Sequence, residues 1–179
     1  MKPRITTRAA VLAASLFAAG CGSDGPAPTT ASPSPFVAQV GGVWSGTQTL
    51  TSTDGGHCVP VLLRVGMVEP MSLSVRQDDV ELTARMASPG TGIACNYSGR
   101  ASLNSLVLDS SDCDKQLLVV QCQDGIIRDL KLVGSTISAT LRGGVATGTV
   151  AYTYNMFVTG KIEGAGSVLA RYDYTATRR

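Results

Sequence analysis

The stretch ATGTVAYTYNMF, residues 146–157, decides the fold. Ala146, Gly148, Val150, Tyr152, Tyr154 and Met156 fall on one side of an extended chain, with threonines on the other, which is the two-residue period of a half-buried antiparallel strand. The same period recurs on both sides of it. In VLARYDY, Val168, Ala170, Tyr172 and Tyr174 share a face. In MSLSVRQ, Met71, Leu73 and Val75 alternate with Ser72, Ser74 and Arg76, and VELTARM places Val80, Leu82, Ala84 and Met86 together. Gln77, Asp78 and Asp79 join these last two runs as a hairpin.

About nine or ten such runs span residues 43–176, separated by the turn signals SPGTG, QDG, GS and RGG, with almost no helical periodicity. The doubtful run is CVPVLLRVGM, residues 58–67, where Pro60 is expected to open a short helix ended by Gly66. The expectation is an all-β domain over residues 41–179, an antiparallel up-and-down barrel of about 8–10 strands, with a β-sandwich as the alternative. Closing a sheet on itself removes the exposed edges that so many strands would otherwise leave.

The first strand carries GGVWSGT, residues 41–47. Gly42-Val43-Trp44 followed by glycine resembles the opening strand of lipocalin-like barrels, and the resemblance implies a tryptophan that plugs one end. It covers this strand alone. If the strands bearing Tyr152, Tyr154, Tyr172 and Tyr174 pair, the rings form a cross-strand ladder, each pair stabilising a sheet by roughly 0.2–1 kcal/mol. With Trp44 they are also the candidate lining of a pocket for a small lipophilic ligand, whereas a barrel filled by its own side chains would hold none.

Ahead of this domain the composition changes. Residues 22–40 hold four of the eight prolines and read as an extended tether. Before them, Lys2, Arg4 and Arg8 precede the uncharged run Ala9–Ala19, which is too short to span a bilayer and suits the middle of a secretory signal. SLFAAGC, residues 15–21, resembles the lipobox of bacterial lipoproteins, with Ala18 where leucine is usual and Leu16 two places further back. The resemblance implies cleavage before Cys21, a thioether-linked diacylglycerol and fatty acyl chain on that cysteine, and a membrane anchored through lipid. By resemblance to Gram-negative lipoproteins, in which an aspartate after the cysteine often signals inner-membrane retention, Gly22 implies the outer membrane of the cell envelope.

Removing residues 1–20 takes away three basic groups, leaving 12 basic against 13 acidic side chains and a net charge of −1. A nucleic-acid partner is therefore not expected, since that needs a clustered basic face. The partners expected are the membrane, and either a small lipophilic ligand or a protein of the envelope. Cys58, Cys95, Cys113 and Cys122 are an even set in an oxidising compartment and predict two disulfides. Closing the shorter loops favours Cys58–Cys95 with Cys113–Cys122. No C-x-x-C pair occurs, and the sole histidine, His57, adjoins Cys58, so no metal centre is expected.

No nucleophile elbow, phosphate loop or zincin motif is present, and an enzyme is not expected. A hydrolytic triad would have to use His57 with Asp54. Asp78, Asp79 and Glu81 fall at a turn; Asp109, Asp112 and Asp114 lack the glycine and terminal glutamate of the known calcium loop. Both acidic groups read as solvated turn charge. No cofactor is expected.

Overall fold

The computed structural model describes residues 37–179, apart from 57, 59–62, 90–91, 115–116, 123 and 161–163. Nine strands follow in chain order: β1 (Gly42–Asp54), β2 (Val68–Asp78), β3 (Glu81–Ser88), β4 (Ile93–Ala101), β5 (Ser105–Cys113), β6 (Leu117–Gln121), β7 (Ile127–Arg142), β8 (Val145–Val158) and β9 (Gly164–Arg178). All neighbours are antiparallel. The first strand pairs with both β2 and β9, and β5 pairs with β7, so eight strands close into an up-and-down barrel.

The additional strand is β6. It pairs with β7 opposite Ile127–Lys131, while β5 pairs with the same edge of β7 opposite Ser135–Thr140. Two strands therefore lie end to end along one long partner. The sequence GS, Gly134-Ser135, read from composition as a turn, is a bulge inside β7 that shifts the register between Leu132 and Gly134 against β8. A glycine there absorbs the kink without ending the strand, so two expected strands are one.

Alternation sorts the side chains as expected. Val150, Tyr152, Tyr154, Val168, Ala170 and Tyr172 are buried inside, and Thr147, Thr149, Thr153, Asp173 and Thr175 are exposed outside. The β2–β3 hairpin closes with Asp78 opposite Glu81, and Asp79 takes a left-handed φ of 52°, a conformation aspartate tolerates in tight turns.

One end of the barrel is closed by the entering chain. Val40 is fully buried, its carbonyl accepts a 2.8 Å hydrogen bond from Trp44 Nε1, and Trp44 is only 3% exposed. Gln77 at the end of β2 pins the segment, accepting from Val40 N at 2.7 Å and donating to Ala38 O at 2.9 Å.

Two disulfides form, but with different partners from those expected: Cys95–Cys113 and Cys58–Cys122. Strand register overrides loop length, because the β4–β5 hairpin sets Cys95 directly opposite Cys113. The second bridge then ties the β1–β2 connection to the residue after β6. The described residues contain no helix. Residues 59–62 of the expected helix lie outside those described. Its end runs as a turn instead, since Gly66 N donates to Leu50 O and Leu50 N to Met67 O, prolonging the β1–β2 ladder.

Candidate functional site in the barrel interior

All five tyrosines of the chain point inward: Tyr97 from β4, Tyr152 and Tyr154 from β8, Tyr172 and Tyr174 from β9. The β8–β9 pairing expected of them exists, yet its register sets Tyr152 opposite Ala170, Tyr154 opposite Val168 and Tyr172 opposite Val150. The rings are therefore offset. Tyr152 and Tyr172 meet edge to face with centroids 5.4 Å apart, a favoured geometry for aromatic pairs.

Among these rings lies a polar cluster that the sequence reading did not single out: Gln48, Glu69, Ser88 and Ser135, all buried. Gln48 Nε2 donates to Glu69 Oε2 at 3.2 Å and to Ser88 Oγ at 3.3 Å; Ser88 Oγ also donates to Glu69 Oε2, at 3.2 Å. Tyr152 OH donates to Gln48 Oε1 at 3.3 Å and reaches within 3.9 Å of Met86 Sδ on β3, four strands away in either direction around the ring. Tyr152 thus crosses the interior. Tyr97 OH donates to Ser135 Oγ at 2.8 Å.

Two hydroxyls are left over. Tyr172 OH and Tyr174 OH are buried, in residues 0% and 3% exposed, and have no hydrogen-bond partner among the described residues. Burial raises the pKa of every tyrosine here. Tyr97 is pushed up to about 12 by desolvation, with the Ser135 bond pulling partly back. Desolvation also leads for Tyr152, Tyr154, Tyr172 and Tyr174, and the charge of Glu69 raises Tyr154 and Tyr172 further. The interior therefore offers neutral phenol donors beside one carboxylate.

The acidic groups noted in the sequence lie outside this cluster, on the barrel's surface. Glu81 pairs with Arg100 at 2.6 Å, Asp114 with Arg85 at 3.5 Å, and Asp112 accepts from Asn96 Nδ2 at 2.8 Å. His57 lies outside the described residues, as does Cys21. Among the described residues no three histidine, cysteine, aspartate or glutamate side chains gather as metal ligands, and no helix is long and apolar enough to cross a membrane.

The signal for Glu69 was present but interrupted. Glu69, Met71, Leu73 and Val75 share one phase, and Pro70 hid the first step because proline within a run reads as its boundary. Gln48 likewise follows Trp44 and Gly46 in phase. The chain matches no protein-family model, no curated protein and no solved structure.

Proposed function

We propose that this protein is a lipid-anchored lipoprotein of the cell envelope, tethered through Cys21 to the outer membrane, that binds a small lipophilic ligand inside its barrel without acting on it chemically. The observation that carries the reading is the pair of buried hydroxyls on Tyr172 and Tyr174, which have no hydrogen-bond partner among the described residues. A buried hydroxyl without a partner costs roughly 1–3 kcal/mol, and native proteins rarely leave one unmatched. An eight-stranded barrel is also of the size that accommodates one small ligand.

The outer face supports placement in water rather than lipid. Thr147, Thr149, Thr153, Arg171 and Asp173 are exposed along β8 and β9, whereas a barrel spanning a membrane turns apolar side chains outward. Contact with the bilayer is then left to the lipid on Cys21. A second reading, an interaction protein with a filled barrel, is favoured by Tyr152, whose hydroxyl already crosses to Met86.

Mass spectrometry of the native lipoprotein separates the two. A co-purifying small molecule, lost on denaturation, is expected for the ligand reading; its absence, with no quenching of Trp44 emission by added lipophiles, supports the filled barrel. Alkyne fatty acid supplied to cells should label the wild type, and labelling that persists in Cys21→Ala would rule out the anchor.

A further inference from the structure

A polar groove of about 400 Å3 crosses the outer wall of β2, β3 and β4. Strand register builds it. Arg76 stands opposite Thr83, and Arg85 stands opposite both Ser74 and Asn96, so these five exposed side chains share the outer face. Ala84 and Tyr97, buried and turned inward between them, supply the floor. Residues diagonal across an antiparallel pair lie about 7–8 Å apart, within reach of long side chains. Arg76 and Arg85 are so related, and two guanidinium groups can therefore converge on one anion.

The two arginines are held differently. Arg85 donates to Asn96 Oδ1 at 3.2 Å and pairs with Asp114 at 3.5 Å, which fixes its position while occupying only part of a fork of five N–H donors. Arg76 enters no ion pair among the described residues, although Asp78 stands two places on along the same face. Asp78, Asp114 and Asp112, the last held by Asn96 Nδ2, lie outside the lining, whose own charges are both positive. Guanidinium forks match the geometry of a carboxylate. The hydroxyls of Ser74 and Thr83 and the amide of Asn96 complement a hydroxyl-rich body, and no apolar wall is present to hold a lipophilic one.

We propose that this groove binds an acidic saccharide, whose carboxylate docks between Arg76 and Arg85 and whose ring hydroxyls meet Ser74, Thr83 and Asn96. The site lies on the outside of the wall and is independent of what the interior holds.

The test titrates the full chain carrying Cys21→Ala calorimetrically with trigalacturonate, its neutral methyl ester and inorganic phosphate, at low ionic strength because salt screens exposed charges. Trigalacturonate should bind saturably and at least about tenfold more tightly than either of the others, since hydrogen bonds to a charged group are the stronger ones. Arg76→Gln and Arg85→Gln should each remove that preference. Arg171→Gln, on β9 and separated from the groove by β1, should leave it intact. All three arginines are exposed, so the substitutions leave the fold standing. Equal binding of acid and ester, or phosphate bound as tightly as the acid, would show attraction without saccharide recognition and overturns the assignment. A preference that survives in either groove variant, a preference lost in Arg171→Gln, or saturable binding of none of the probes overturns it equally, and each leaves the reading of the interior untouched.

Discussion

Trp44 shows how one side chain closes a barrel: its ring is buried and its single polar atom is satisfied by Val40 O, so nothing in it is left to water. Trp44→Ala opens a void beneath Val40 and should lower stability by about 3–5 kcal/mol, read as a shift of the denaturant midpoint. As the sole tryptophan, it should also emit at short wavelength in the native state and move red on unfolding. Unchanged stability together with red-shifted native emission would remove Trp44 from the barrel end. The tyrosines make a second measurement. Their folded pKa values are raised above the unfolded value, so the stability they contribute is fully present below pH 10.0 and is lost progressively above it as pH climbs to the folded values, about 12 for Tyr97. Because all five are interior, tyrosinate absorbance in the native protein should stay flat through pH 10 and then rise together with unfolding. Any tyrosine ionising near pH 10 in the folded state would contradict its burial.

The strands bend where a side chain is absent. At Gly148 a Cβ would stand 1.9 Å from Ser138 O and 2.7 Å from Ala139 Cα, and at Gly46 it would stand 1.9 Å from Thr175 O. These contacts are with the backbone of the adjacent strand, which cannot swing aside, so both glycines let neighbouring strands approach as the wall coils. Gly148→Ala should cost more than the ~1–3 kcal/mol typical of overpacking, whereas Thr147→Ala on the exposed face should stay within about 0.5 kcal/mol of wild type. Similar midpoints for the two variants would show that the strands can separate at Gly148. The bridges differ in leverage as well. Chain-entropy arithmetic gives about 3 kcal/mol for Cys95–Cys113, 18 residues apart, and about 4 kcal/mol for Cys58–Cys122, 64 apart. Peptide mapping without reduction should recover these two pairs, and serine replacement of Cys58 and Cys122 should be the more damaging. What could be read from the chain follows the reach of each signal. Val150, Tyr152 and Tyr172 declared their faces because alternation is local to a strand. The cysteine pairing depended on which residues oppose one another across the β4–β5 hairpin, and the bulge at Gly134 on whether a partner strand runs past it, neither of which a run of residues encodes. Trp44 and the late tyrosines were found for the same reason Glu69 was missed: the period was unbroken around them and broken by Pro70 beside it.

Closure joins residues that are far apart in the chain. Thr51 on β1 bonds Arg171 on β9 across 120 residues, and the last residue, Arg179, donates its amide to Val43 O at 2.9 Å. Non-local pairing of this kind must bear the entropy of a long loop before any contact rewards it, so folding on the order of milliseconds to seconds is expected. A chain stopped before Gly164 lacks β9 and leaves β1 and β8 without the strand that joins them. Such a fragment should show none of the near-ultraviolet circular dichroism of packed tyrosines; a native-like spectrum would mean that the wall can seal without it. The pairing of β1 with β9 also ties folding to the direction of synthesis. A ribosome delivers β1 first and β9 last, so the growing polypeptide can form hairpins but has no means of completing the ring until its final strand emerges. A chain built in that order stays pliable until β9 has joined β1 to β8, and it locks into shape only then.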